Sequence, residues 1–302
     1  MKLSSVLNGL IILLLLVSCG NSSKQQAVKV EKYAFDLQAH RGGASMYPEN
    51  SIEAFQHAIE LNVTTLELDV VVSKDSMVVV SHEPVMRQGL CKTPDGNAIE
   101  SIEDYNLYEM TYEEIKAFDC GSLSSDKFPN RKNLKTYKPL LSEVIQLTTE
   151  NFRERGNRVS LNIELKSSPE TDNIYHPEPE EFVRLVLSTI KNELIPIYKV
   201  TLQSFDERII RELTEKYPMF QTAYLVEEGN VFDNITKLKS VPKIYSPHYA
   251  LLDSLEVKRA QEMGMKVIPW TVNDFKDMKM LLEMGVDGLI TDYPNLAKAI
   301  HK

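Results

Sequence analysis

The sequence predicts an α/β fold, a (β/α)8 TIM barrel, and three observations carry that expectation. Eight short strand patterns recur along the chain. Helical patterns lie between most of them, and strands that alternate with helices build a parallel sheet. Eight such units over roughly 260 residues match the usual size of the barrel, about 250. Most of the strand candidates are rich in Val, Ile and Leu, as strands buried on both faces are.

The N-terminal segment stands outside that pattern. Lys2 is followed by an apolar run, Leu10 to Val17, and then Ser18-Cys19-Gly20. The run is too short to span a bilayer and fits the core of a signal peptide. Leu16-Val17-Ser18-Cys19 resembles a bacterial lipobox, which implies cleavage before Cys19 and lipid on that cysteine; an ordinary secretory signal is the alternative. Residues 1–18 are thus expected to be a lipoprotein signal peptide and residues 19–34 a polar tether. The expected location is the bacterial cell envelope, lipid-anchored at a membrane surface, with the barrel of residues 35–302 in the periplasm or at the cell surface. The 302 residues carry a net charge of −9 and no long basic run, so nucleic acid is not an expected partner.

Taken in order, the strand candidates are Phe35–His40, Thr65–Val71, Ser160–Lys166, Lys199–Ser204, Gln221–Val226, Lys243–His248, Lys266–Val272 and Gly288–Asp292. The helical patterns are Ser51–Leu61, Leu141–Arg155, Glu180–Glu193, Asp206–Tyr217, Asp253–Met263 and Asn273–Met284, with Pro294–His301 closing the chain. Asn50 is placed to cap the first helix, and Glu53 three residues on makes a capping-box-like pair. Met77–Ser81 is a further strand-like run, expected to form a hairpin with Thr65–Val71. After it the alternation breaks. Residues from about 83 to 139 read as a small insertion following the second barrel strand, on the catalytic face. This stretch contains Pro94-Asp95-Gly96, a helical piece near Tyr112–Phe118 and a polar loop, Ser122–Lys138. Its Cys91 and Cys120 either pair, which in an exported protein would add about 3–4 kcal/mol in the chain-entropy model, or stand as two separate buried thiols.

The chemistry gathers at strand ends. His40 and Arg41 follow the first strand, on a loop whose Gly42 and Gly43 let the backbone turn sharply and approach a ligand. Glu67 and Asp69 lie two apart on the second strand, so both carboxylates point to one face. Glu164 and Lys166 repeat that spacing on the third. Charges at alternate positions of an apolar strand must be paired or must bind something. Three carboxylates converging on one mouth repel and raise each other's pKa unless a cation sits among them. All-oxygen ligands suit Ca²⁺, Mg²⁺ or Mn²⁺ over Zn²⁺. Without metal, the alternative is a salt bridge from Glu67 or Glu164 to Lys166 or Arg41. His82 ends the Met77–Ser81 run as a second histidine near the same mouth. The three carboxylates carry −3, and a divalent ion with Arg41 and Lys166 brings +4. The balance of +1 wants one negative charge, which is what a phosphodiester carries.

These motifs, in this order, resemble the glycerophosphodiester phosphodiesterase family. The resemblance rests on His40-Arg41-Gly42, Pro48-Glu49-Asn50-Ser51, Glu67-Leu68-Asp69-Val70, Asp75, Val79-Val80-Ser81-His82-Glu83, Glu164-Leu165-Lys166, Trp270-Thr271-Val272-Asn273 and Asp287-Gly288-Leu289-Ile290-Thr291-Asp292-Tyr293-Pro294. Weaker matches are Met110-Thr111-Tyr112-Glu113-Glu114-Ile115 and Pro139-Leu140-Leu141-Ser142-Glu143-Val144. The resemblance implies a barrel with an inserted subdomain and one divalent metal, Ca²⁺ or Mg²⁺. It implies hydrolysis of a small-molecule glycerophosphodiester to sn-glycerol 3-phosphate and an alcohol. It also implies Glu67, Asp69 and Glu164 as metal ligands, His40 and His82 as general base and general acid, and Arg41 and Lys166 as phosphate contacts. Trp270 is expected against the glycerol carbons, or else in the core, and Gln203 and His248 within reach of substrate. Glu83 stands where the family usually has Asp, and Met86–Asn97 departs from the family's run, which leaves the alcohol preference open. Two rival readings use the same residues. One is a phosphoinositide-type phospholipase C or another barrel phosphodiesterase. The other is a non-catalytic phosphodiester-binding lipoprotein, which would have lost one of His40, His82, Glu67, Asp69 or Glu164; all five are present.

Overall fold

The structure, a computed structural model, describes residues 33–101, 105–156, 158–297 and 299–300. The expected signal peptide, Cys19 and all but the last two residues of the expected tether lie outside the described residues, as does His301. Eight parallel strands form the barrel: β1 (Asp36–Ala39), β2 (Thr65–Val72), β4 (Ser160–Leu165), β5 (Val200–Ser204), β6 (Gln221–Val226), β7 (Ile244–Pro247), β8 (Lys266–Val267) and β9 (Gly288–Thr291). Their order is β8-β7-β6-β5-β4-β2-β1-β9, and β3 (Val78–Val80) pairs antiparallel with β2 as the expected hairpin. The seam between β8 and β9 is bridged by backbone bonds from Asp287 N to Val267 O (2.8 Å), Ile290 N to Pro269 O (3.0 Å) and Val272 N to Ile290 O (2.9 Å).

Around the strands lie α1 (Ile52–Glu60), α3 (Leu141–Arg155), α4 (Pro179–Asn192), α5 (Glu207–Lys216), α6 (Val231–Leu238), α7 (Ser254–Glu262), α8 (Phe275–Glu283) and α9 (Pro294–Ala297). Each of the longer ones buries one apolar stripe on the sheet. In α1 the stripe is Ala54, Phe55, Ala58 and Ile59. Fully burying a side chain such as Phe55 contributes about 1.5–3 kcal/mol. The barrel strands and these stripes make two large clusters, one around β1, β2, β4 and β5 and one around β6 to β9.

Three local expectations need correction. The cap of α1 is Ser51, whose Oγ accepts from Ala54 N (3.1 Å), and not Asn50. Asn50 has φ +58°, a left-handed conformation that an N-cap does not take, and its side chain turns to Asp69 instead. Glu53 makes no capping box; its carboxylate accepts from Thr136 Oγ1 (2.9 Å). The strand expected over Lys266–Val272 is a two-residue ladder, because Pro269 has no N–H to give. Helix α6 was not expected at all. Val231, Ile235 and Thr236 are poor helix formers. It stands on a tertiary basis: Asn230 caps it, Asn234 Nδ2 donates to Glu228 O and Tyr245 Oη, and Val231, Ile235 and Leu238 are buried.

The segment between β3 and α3 lies against the face of the β2–β3 hairpin that Val71 shares with Glu67 and Asp69, opposite the helix-covered face. Its Met86, Leu90, Cys91, Ile99, Leu107, Ile115, Phe118 and Cys120 form one cluster with Val71 and Val79. A short helix, α2 (Tyr112–Lys116), starts in a capping box of Thr111 and Glu114. Cys91 and Cys120 are bonded, which decides between the two alternatives. The loop they close spans 29 residues, worth about 3–4 kcal/mol in the chain-entropy model. Reduction, or Cys91→Ser with Cys120→Ser, should therefore lower the urea unfolding free energy by about that amount. Equal midpoints with and without reductant would show that the bond adds no stability.

Candidate active site

Parallel strands in register place the polar residues at one level of the barrel. Asp69 on β2 is the lateral partner of Glu164 on β4, and Glu164 is the partner of Gln203 on β5. Glu67 lies one pleat below Asp69 on the same face. One carboxylate oxygen from each of Glu67, Asp69 and Glu164 can be chosen so that all lie within 4.8 Å of one another, and all three residues are buried. Around them His40, Arg41, Lys166, His82, Gln203 and Trp270 line a cavity of about 430 Å³. The structure thus brings together, at the C-terminal mouth, nearly every residue singled out from the sequence. His248 is apart from the cavity lining; its ring packs against Tyr249 and Trp270.

The acidic group is held by donors from several elements. Arg41 N donates to Glu67 Oε2 (2.9 Å), and Gln203 Nε2 donates to Glu67 Oε1 (2.8 Å). Asn50 Nδ2 donates to Asp69 Oδ2 (2.8 Å). Lys166 Nζ donates to Glu164 Oε1 (2.7 Å). Arg41 can reach inward because its own φ is +51° and because Gly42 follows it at φ +82°. A Cβ on Gly42 would stand 2.8 Å from the Ala54 Cβ, so only glycine fits there. Gln203 was expected at the substrate, yet its amide is occupied on both sides, since its Oε1 accepts from Asn162 Nδ2 (2.8 Å). Its place in the cavity wall is that of a brace for Glu67.

Burial, and then the charges of Asp69 and Glu164, push the Glu67 carboxyl well above the ordinary glutamate value. Burial also raises Glu164, with Lys166 offsetting part of it. Burial would raise Asp69 too, but Arg41, His82 and Lys166 outweigh it and hold Asp69 below its usual value. Among the charged groups at the mouth, two buried atoms have no hydrogen-bond partner among the described residues: Asp69 Oδ1, with Lys166 Nζ 3.9 Å away, and Arg41 Nε, 3.4 Å from Asp69 Oδ2. A buried carboxylate oxygen left unpaired is costly. A hard divalent cation among three carboxylates would satisfy it, and the all-oxygen donor set suits Ca²⁺ or Mg²⁺. The residues present therefore fit such a cation.

Each imidazole is tied to a carboxylate. His40 Nδ1 lies 2.6 Å from Asp292 Oδ1. Asp292 is buried and also accepts from Asn273 Nδ2 (2.8 Å) and Lys127 Nζ (3.3 Å). Burial opposes the charge on Asp292, but His40, Lys127 and Asn273 win and depress its pKa. His82 Nδ1 lies 2.8 Å from Glu83 Oε1. The hydrogen bond from His82, with Arg87 and Lys166 nearby, pulls Glu83 down to about 2 against its partial burial. Glutamate in place of the family's aspartate therefore still reaches its histidine. Below, Lys138 is fully buried, its pKa pushed down to about 8 by that burial, and it donates to Ser81 Oγ, which donates to Glu83 O (2.6 Å).

Asn50, Glu49 and Asp292 were missed as site residues. All three lie inside the quoted motifs, but their roles are tertiary: they support groups far away in sequence. Glu49 Oε1 accepts from Arg41 Nη1 (3.1 Å), and although burial would raise the Glu49 pKa, Arg41 and Arg87 hold it below its ordinary value.

A barrel whose mouth sets two carboxylate-bound imidazoles beside an acidic group and two cations belongs to the phosphodiester hydrolases. Residues 40–296 match the model of the glycerophosphoryl diester phosphodiesterase family, and the chain belongs to that family. It is 32% identical over 268 residues to the glycerophosphodiester phosphodiesterase of Bacillus altitudinis, covering 87% of this chain and 97% of that one. A crystal structure of a candidate glycerophosphoryl diester phosphodiesterase from Silicibacter pomeroyi DSS-3 superposes with TM-score 0.78 at 27% identity, covering 90% of this chain and 95% of the other. An Oleispira antarctica phosphodiesterase, in complex with the product sn-glycerol-3-phosphate, shares the fold with TM-score 0.70 at 21% identity, covering 88% and 97%.

Asp292→Asn should lower kcat roughly 10²-fold, the lower end of what positioned acid–base catalysis supplies. Because the folded-state pKa of Asp292 is depressed, its contribution to stability is present above the unfolded value and is lost as pH falls. The Tm deficit of the variant should thus be full near pH 7 and shrink progressively as pH drops below the ordinary aspartate value of 3.8. A deficit that stays constant as the pH falls well below that value would show that Asp292 contributes no ionic term.

Proposed function

We propose that this enzyme hydrolyses glycerophosphodiesters to sn-glycerol 3-phosphate and an alcohol with the help of one divalent cation. The observation that carries the reading is the buried triad of Glu67, Asp69 and Glu164 with the unpaired Asp69 Oδ1. Those three residues would hold the cation, which when bound neutralises phosphate charge and orients the substrate. The product bound by the Oleispira antarctica neighbour is the one this reading expects to be released.

The chain's own residues do the rest. Arg41 and Lys166 stabilise the charge that builds on the phosphoryl oxygens. Trp270, on the cavity wall with Phe205 edge-on at 5.3 Å, gives the glycerol carbons an apolar surface. One imidazole removes a proton from the nucleophile, a water or the neighbouring glycerol hydroxyl. The nucleophile bonds to phosphorus, the bond from phosphorus to the alcohol oxygen breaks, and the other imidazole protonates that oxygen. The resemblance assigned the donor role to His82. On that assignment His82 is the donor and His40 the base.

Two experiments test this. Chelation should abolish glycerol 3-phosphate release from glycerophosphocholine, Ca²⁺ or Mg²⁺ should restore it, and either ion should raise the Tm of the chelated protein; full activity in chelator sinks the metal assignment. For the histidines, a poor leaving group needs the proton and nitrophenolate does not. His82→Ala should lose on the order of 10²-fold or more in kcat/KM on glycerophosphocholine and far less on a nitrophenyl glycerol phosphodiester. His40→Ala should lose heavily on both. The opposite pattern gives the donor role to His40.

We also read the N-terminal residues as a lipoprotein signal with Cys19 as the lipidated residue, on the motif Leu16-Val17-Ser18-Cys19. Labelled fatty acid should enter the wild-type protein and not Cys19→Ala; equal labelling of both excludes the anchor.

A further inference from the structure

The end of the barrel opposite the mouth carries an apolar prong. The loop from α4 to β5 contains Leu194-Ile195-Pro196-Ile197-Tyr198, five apolar residues in a row. Ile195 packs against the core, while Leu194 is 85% exposed, Ile197 42% and Tyr198 62%. Single exposed apolar residues are ordinary, but a run of them is a fault in a water-facing surface unless it has a use. Leu194 adds a second fault. It follows the C-cap of α4 at φ +54°, the left-handed position where a helix usually places glycine. A side chain costs stability in that conformation, and this one, left in solvent, recovers little of it by packing.

Cations surround the prong. Phe152, in the last turn of α3, is exposed, with the Arg158 guanidinium 4.1 Å from its ring centroid. Arg158 Nη1 also donates to Tyr198 Oη (3.5 Å), which joins the two aromatic rings into one surface. The last turns of α3 and α4 and the loops that follow them carry Arg153, Arg155, Arg158, Lys191 and Lys199 against Glu154 and Glu193. Five cations against two carboxylates make a basic island on a chain whose net charge is −9.

The chain enters the barrel at this same end. The described residues begin at Tyr33, just before β1, and Asp36 bonds there to Thr64 and Asp287, in the loops that lead into β2 and β9. From Thr64 the rim runs to Ser160, whose N donates to Thr64 O (2.9 Å), and from Arg158 to Lys199, whose Nζ donates to Arg158 O (3.1 Å). Tyr33 follows Cys19 by 14 residues, and a chain of that length reaches at most about 50 Å. A lipid on Cys19 therefore keeps the prong's end of the barrel close to the bilayer, where docking is intramolecular and needs little affinity of its own.

We infer that the prong and its cations form a docking face for the anionic lipid surface that holds the anchor, with Leu194, Ile197 and Tyr198 entering the headgroup layer and Arg158 and Lys191 meeting lipid phosphates. The inference rests on the reading of Cys19 as lipidated. Binding to such a surface scales with buried apolar area and with attraction between basic side chains and anionic lipids, and the prong offers both. Docked this way, the barrel turns its mouth away from the bilayer and toward diesters in solution.

The test reconstitutes the mature lipoprotein on phosphatidylcholine vesicles with and without phosphatidylglycerol, each carrying nitroxide-labelled acyl chains. Cys91 and Cys120 are bonded and Cys19 is acylated, so Ile197→Cys or Lys276→Cys supplies one free thiol for a fluorophore. The first lies on the prong and the second is exposed in the first turn of α8, on the mouth side. Nitroxide should quench the probe at 197 severalfold more than the probe at 276, and more strongly when phosphatidylglycerol is present. Added salt, or Arg158→Glu with Lys191→Glu, should remove that gain. Leu194→Gly should leave Tm unchanged or raise it, because glycine accepts the left-handed backbone, yet cut the quenching at 197. Equal quenching of both probes, or of neither, on protein that floats with the vesicles overturns the docking face and leaves the anchor in place. Shielding at 197 that needs no vesicle and grows with protein concentration overturns it in favour of a second copy of the chain. Protein that carries no acyl chain and floats with neither vesicle overturns both readings.

Discussion

The lateral pairing of Asp69 with Glu164 is the constraint on which the site depends. In a parallel barrel, residues level with each other on adjacent strands share a face, and this register sets the two carboxylates side by side with Glu67 one pleat below. No rearrangement of a loop can separate them. Their mutual repulsion must be met by cations and donors, and the rest of the mouth is arranged around that requirement. Arg41 bends inward through a left-handed backbone, Lys166 folds back on Glu164, and Asn50 gives up the helix cap to reach Asp69. These are local rules broken at a functional site, where such violations are expected.

The same constraint explains why the donors come in two layers. Gln203 and Asn162 are uncharged and buried; the Gln203 amide is hydrogen-bonded at both ends, and Asn162 donates through Nδ2 while its Oδ1 has no partner among the described residues. Asn162 Nδ2 donates to both Gln38 and Gln203, so the layer under the carboxylates is tied across β1, β4 and β5. Binding energy spent on holding Glu67 in this way fixes it before substrate arrives, which is the condition for electrostatic catalysis.

Strand positions and the charged triad were legible because both follow from spacing two residues apart, a signal that survives without knowledge of neighbours. Thr65–Val72 and Ser160–Leu165 appear within a residue of where their alternation put them. What was not legible is what depends on contacts across the chain. Helix α6 carries weak local propensity and exists because Asn234 meets Tyr245 and Ile235 meets the sheet. Asn50 carries a good capping signature, but the buried Asp69 competes for the same amide and wins. Asp292 lies 252 residues from His40, and although it stands in a motif, nothing local ties it to that histidine. The disulfide is of the same kind, since the sequence left pairing and separate thiols equally open.

The two histidines show how a fold with one mouth separates two roles. Both have Nδ1 on a carboxylate, so the first contact alone does not tell them apart. Their surroundings do. Asp292 is fixed in the rigid frame, by Asn273 and by its own backbone N–H to Asn273 Oδ1 (2.9 Å). Glu83 sits partly exposed on the segment that follows β3, shared with Arg87 and steadied only through Ser81 and Lys138. The strand ends that carry the carboxylates and His40 are set by the barrel, whereas what lies past them, Phe128 and the β8–α8 loop, is free to vary without disturbing the triad.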